Sequence, residues 1–389
     1  MKKNVFKYAT LSMALCASFA CVSCSEEENA GQNPPAPETV ITGDVNEDMI
    51  LKSGVTYYLD GKLQVKAPAT LTIEPGVKII AKYTDNISYI LIEQGAKINA
   101  VGTAENPIVM TSEKEAAGSW GGLHICGKAS INVDGGTGRS EIGNAIYGGE
   151  VDDDNSGKLK YIRMENTGQT LSADTESNGI TFYGVGNGTE VSYVQICNGK
   201  DDGIEFFGGT VNVDHAITVN CGDDSFDWTE GWRGEGSYWV AYQEESASCD
   251  CLIEADNNGN NNDATPVSCP KLSKLTLIGN NDAEKNYGVR LRAGTKVIMS
   301  DAQITGKANA LRTETTQTET ALKNGEATLN NVAISGTLSS KEGIYSNDMF
   351  VAAGNLTNQT FNFTDRFVGT TDGRGAVETA NNWTAGWTK

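Results

Sequence analysis

Positive charge and histidine are scarce in this sequence. Its 389 residues include 30 Lys and Arg against 50 Asp and Glu, a net charge of −20, and 2 His. A nucleic-acid binder needs a basic face, so that class is excluded. The two histidines, His124 and His215, are joined by no paired Cys-x-x-Cys motif, which leaves a zinc centre without a ligand set. Apolar runs long enough to span a membrane are missing after residue 24. So are a sustained helical period and the strand–turn–helix context of a phosphate-binding glycine loop. What is plentiful is glycine, at 44 residues, without a collagen period. The chain is rich in turns and apolar enough to build a large core.

The first residues read as an address. Lys2, Lys3 and Lys7 flank an apolar run, Tyr8 to Val22, that has the form of a secretory signal. It ends in Cys21-Val22-Ser23-Cys24, followed by Ser25-Glu26-Glu27-Glu28. This resembles a lipobox with the surface-export signal of Bacteroidota lipoproteins, with Cys21 where leucine is usual. The resemblance implies a signal peptide over 1–23, lipidation of Cys24, outer-membrane lipid as a partner, and a surface-exposed domain. Residues 24–40, with Pro34, Pro35 and Pro37, are expected as a flexible tether. Of nine cysteines, Cys249, Cys251 and Cys269 fall in a polar stretch at about 244–270, expected as a surface loop insertion. One disulfide there suits an oxidising compartment. Cys126, Cys197 and Cys221 lie in or beside apolar strands and read as buried thiols.

Residues 41–389 read as a repeat array. Leu71-Thr-Ile-Glu-Pro-Gly-Val-Lys-Ile79 matches Ile90-Leu-Ile-Glu-Gln-Gly-Ala-Lys-Ile98 at an offset of 19. Asn178-Gly-Ile-Thr-Phe-Tyr-Gly184 matches Asp202-Gly-Ile-Glu-Phe-Phe-Gly208 at an offset of 24, and Asp224-Ser-Phe-Asp-Trp228 follows at 22. Tyr287-Gly-Val-Arg-Leu-Arg292 is a looser copy. Apolar and polar residues alternate within each unit, the period of a half-buried strand. Short strands repeating every ~20 residues, without helices, predict an all-β right-handed parallel β-helix of about 10 to 13 coils with capped ends. Glycines are expected at left-handed corners. Residues 44–60 are expected as the first cap, and Trp383 and Trp387 are expected to pack on the last coil. The runs Asp152–Glu165 and Asp201–Gly209 and the closing Asn-Trp-Thr-Ala-Gly-Trp resemble a family of Bacteroidota secreted and lipid-anchored β-helix proteins, which carries no settled activity.

Three constellations bear chemistry. Asp152, Asp154 and Ser156 alternate before Gly157 like the first half of a calcium loop, but the twelfth position holds Arg163 instead of Glu. Asp201, Asp202, Asp223, Asp224 and Asp227, with Glu205, fall one coil apart. Like charges that close call for a cation, such as Ca²⁺, or for shared protons. Asp152, Asp154, Asp202 and Asp224 are therefore metal candidates, and the same five aspartates with Arg290 are catalytic candidates. Against this, Asp before Gly or Ser also caps turns. Trp228, Trp232, Arg233 and Trp239 are candidate sugar contacts or, alternatively, core packing. The aspartates have some likeness to polygalacturonase-type hydrolases, without their Gly-His-Gly turn or Arg-x-Lys pair. The combined reading is a non-catalytic binding or adhesion module for a glycan or protein partner. The alternative is a calcium-assisted polysaccharide lyase or glycoside hydrolase.

Overall fold

The computed structural model describes residues 38–172 and 175–389. The expected signal segment, Cys24 and the tether up to residue 37 lie outside them. One 23-stranded sheet winds through the described residues, and its strands pair in parallel from coil to coil. Parallel crossovers of this kind are right-handed. The chain is a right-handed parallel β-helix, as the repeats imply.

Each coil has three sides. One side stacks residues 43–45 and 62–65, then Tyr89–Ile92, Leu123–Cys126, Ile180–Tyr183, Ile204–Phe207, Phe226–Thr229, Ile253–Ala255, Tyr287–Leu291, Asn309–Thr313 and Leu338–Ser340. That is eleven coils among the described residues. In the later coils, long strands bent in the middle supply the other two sides: Gly157–Glu165, Glu190–Cys197, Asn212–Val219, Glu235–Tyr242, Lys271–Ile278, Ile298–Thr305 and Thr328–Ile334. The bend falls on Tyr161, Tyr193, His215, Tyr238, Lys274, Asp301 and Asn331, all left-handed with φ between 49° and 57°. Glycine takes left-handed corners at Gly76, Gly95, Gly184 and Gly208, as expected, but not at this bend. Here stacked side chains offset the cost of the left-handed backbone, about 1–2 kcal/mol per residue. Tyr161, Tyr193, His215 and Tyr238 stack ring on ring at 4.4–4.5 Å.

Inward side chains fill the core. Ile180, Ile204 and Phe226 stack in one ladder, and Phe182, Phe206 and Trp228 in the next. All six are fully buried. The offsets of 24 and 22 thus correspond to coil-to-coil pairing. The offset of 19 does not: Leu71 stacks on Ile98, while the two matching runs occupy different corners of the triangle. Both encode the same strand–turn–strand bend.

Other expectations change. Residues 44–60 are largely strand and belong to the first coils instead of capping them. The stretch 244–270 contains a ladder strand, Ile253–Ala255, and buries Cys249 and Cys251. All six described cysteines are free. Two short helices, Thr316–Asn324 and Asn347–Ala352, lie beside the last coils, the second burying Phe350.

Candidate functional site

Alternation in the short strands decides what faces outward. Glu205 lies between buried Ile204 and Phe206, Asp227 between Phe226 and Trp228, and Glu254 between Ile253 and Ala255. Parallel pairing stacks these outward positions in register: Thr181, Glu205, Asp227, Glu254, Arg290, Arg312 and Ser339. The ladder runs along the helix and changes sign half-way, from acids to arginines.

At its acidic end is a cleft of about 360 Å³ lined by Glu141, Glu176, Asn178, Asp201, Asp202, Glu205, Asp223 and Asp227. Glu141 is carried there on the segment between Thr137–Arg139 and Ile146–Gly148, and Glu176 on a second hairpin. Tyr183 donates to Glu141 at 3.0 Å, and Lys200 pairs with Glu176 at 2.7 Å. Asn178 Nδ2 donates to Glu205 at 2.6 Å. Carboxylate oxygens of Asp201, Asp202 and Asp223 lie within 4.8 Å of one another, as do those of Asp202, Glu205 and Asp227 and those of Asp224, Asp227 and Glu254.

These groups resist ionisation. Burial, then Glu176 and Asp223, pushes Asp201 up to about 7. Burial and then neighbouring acids push Asp202, Glu205, Asp224 and Asp227 well above the usual carboxylate range. Asp227 Oδ1 is buried without a hydrogen-bond partner. Clustered oxygens with one orphaned acceptor fit a hard cation such as Ca²⁺, which takes six to eight oxygen ligands. They do not fit a thiolate metal centre. Cys251 lies beside Asp224 and Asp250, but burial pushes its thiol far up and keeps it protonated.

The arginine end is neutralised internally. Arg290 donates to Glu314 at 3.1 Å and to Glu254 at 3.0 Å. Arg292 pairs with Asp256, and Arg312 with Glu314. Burial raises Glu314, but the bonds from Arg290 and Arg312 overcome it and hold the carboxyl at about 2. Arg290 is thus a braced cation and is not poised as a base.

The sequence candidates divide. Asp201, Asp202, Asp223 and Asp227 line the cleft, and Asp224 lies behind them; Arg290 stands two coils from Asp227 on the ladder. Asp152 and Asp154 are elsewhere. Asp152 pairs with Arg233 at 2.7 Å and Asp154 accepts from the Lys128 amide, so these two anchor turns away from the cleft and join none of its carboxylate groups. Arg233 is spent on Asp152 and Ser130. Trp228, Trp232 and Trp239 cannot stack on a sugar, because all three are fully buried. Trp232 packs on Phe206 at 3.9 Å, and each indole N–H bonds inside the protein. His124 is buried, and desolvation lowers it to about 4. Glu141, Glu176, Asn178 and Glu254 were not picked out from the sequence.

Residues 43–388 match the family model for the pectate-lyase-like β-helix domain. The chain belongs to this family. The match covers almost all of the described coils, so the cleft lies within the pectate-lyase-like domain and not on an appended module. Searches of curated proteins and of solved structures found no match.

Proposed function

We propose that the protein binds a polysaccharide in the acidic cleft with the help of Ca²⁺. The observation that carries this is the orphaned, buried Asp227 Oδ1 among three overlapping groups of carboxylate oxygens. Asp201, Asp202, Glu205 and Asp227 would hold the ion. It would supply positive charge, to which sugar hydroxyls or carboxylates can coordinate. Asn178, Glu141 and Glu176 stand where they can bond sugar hydroxyls. Lipid anchoring through Cys24 would place the domain on the cell surface, and a Cys24→Ala chain should then leave the membrane fraction. Titration with Ca²⁺, followed by acidic and neutral polysaccharides with and without chelator, tests the reading. Binding of Ca²⁺ at about 10⁻⁴ to 10⁻³ M is expected, typical of extracellular sites. Glycan binding indifferent to chelator would overturn the role of the ion.

A second reading, cleavage, is favoured by family membership and by Asp201. With its carboxyl pushed up to about 7, Asp201 holds a proton near neutral pH and stands at the cleft as a general acid for a glycosidic oxygen. Reducing ends appearing in wild type but not in Asp201→Asn would support it.

A further inference from the structure

Residues 367–389 do not form another coil. They run back along the outside of the β-helix. Gln303 Nε2 donates to Gly369 O at 2.7 Å, the Ala376 amide donates to Thr276 Oγ1 at 2.8 Å, and the Gly375 amide donates to Asp301 O at 3.0 Å. Farther along, Trp383 meets His215 edge-on at 4.7 Å, and Trp387 meets Tyr161 edge-on at 5.5 Å. The end is tied doubly. Lys389 exchanges two backbone bonds with the Gln195 side chain, at 2.9 and 3.2 Å, and its Nζ pairs with Glu165 at 2.8 Å. Beneath this segment, Ile217 and Val240 face outward yet are fully buried.

In a solenoid each coil normally touches only its neighbours, so local opening is cheap. This segment bonds strands from Gly157–Glu165 to Thr328–Ile334 directly, Arg374 donating to Asn331 O at 3.1 Å at the far end. The coils it crosses include those that carry Glu205, Asp227 and Glu254 on another side. We infer that residues 367–389 are a strap that couples these coils into one opening unit and thereby holds the cleft carboxylates in register. The significance for ligand binding rests on the cleft reading; the coupling itself does not.

Amide hydrogen exchange on the ligand-free full chain tests this. In wild type, amides of 190–197, 204–207, 212–219 and 226–229 should exchange together, only on cooperative opening. In Trp383→Ala/Trp387→Ala, those amides should exchange roughly tenfold faster or more, while 298–305 and 328–334, held by residues 369–376, should keep their wild-type rates. Trp387→Phe alone should restore most of the protection. A chain lacking 367–389 should melt in two steps. If that chain does not fold, the point variants decide. Unchanged exchange, or an equal acceleration in every coil, would overturn the strap. Calcium affinity measured on Asp227→Asn, whose strap is intact, reports on the cleft alone, so the two ideas fail independently.

Discussion

Asp202 and Asp224 are joined head to tail: Asp202 Oδ1 accepts the Asp224 amide at 2.8 Å, and Asp224 Oδ1 accepts the Cys251 amide at 2.7 Å. Each carboxylate ties its own coil to the next. The two are nearly fully buried, yet oxygens of both also belong to the acid groups of the cleft. Capping a turn therefore does not keep such an aspartate from facing the cleft. The bond that fixes one oxygen orients the carboxyl for the cleft.

The cation-free protein should lose stability as pH rises. Burial raises Asp201 from 3.8 to about 7 and Glu230 from 4.5 to about 7. The folded chain therefore keeps protons that the unfolded chain releases near pH 4. Stability then falls from about pH 4 upward through 7, the reverse of the salt-bridged carboxylate case. Melting in chelator should occur at a lower temperature at pH 8 than at pH 5. Equal melting would show that these acids are not held protonated.

Asp227→Asn should separate stability from ion binding. Burial and neighbouring acids make the folded chain keep this carboxyl neutral where the unfolded chain ionises it; Asn lifts that cost, so the ligand-free variant should melt higher than wild type at pH 8. Calcium should then raise its melting far less than it raises that of wild type, where a site filled at 100 times its Kd adds about 2.7 kcal/mol. Thermal melts with and without Ca²⁺ on both chains check this.

Trp239→Ala should be costly to the fold. The ring packs on Phe226 at 4.4 Å and on Phe206 at 5.9 Å, and its N–H bonds Val213 O at 2.9 Å. The expected loss is about 3–5 kcal/mol on denaturant unfolding. A change in glycan affinity without loss of stability would place the ring at a surface instead.

The buried cysteines should be unreactive in the native state. Burial pushes Cys126 and Cys197 up to about 12 and Cys249 up to about 11. A thiol reagent should titrate the five buried thiols only after denaturation, Cys269 being partly exposed, and reductant should leave the melting temperature unchanged.

Much of this fold was legible in the sequence, because the coil is written as pairs such as Ile180 and Ile204 one turn apart. The run from Leu71 to Ile79 misled for a physical reason: a strand–turn–strand bend serves any corner of the triangle. The tryptophans were readable in part. Phe226-Asp227-Trp228 alternates, and that alternation alone puts Trp228 inside once Asp227 is outside. Glu254 was hidden in a polar stretch, although Leu252-Ile253-Glu254-Ala255 carries the alternation of Gly203-Ile204-Glu205-Phe206. Glu141 and Glu176 come from hairpins outside the repeat, and no spacing announces where such hairpins fold back. The path of residues 367–389 was likewise closed to repeat analysis, since it depends on the groove made by many coils together.

The most direct test of the cleft is a calorimetric Ca²⁺ titration of the purified protein at pH 7.5, beside Asp227→Asn and Asp152→Asn. Saturable binding in wild type and Asp152→Asn, lost in Asp227→Asn, is the expected result. Binding unaffected at Asp227 but lost at Asp152, or no binding at millimolar Ca²⁺, would contradict the assignment of the acidic cleft as an ion-dependent site.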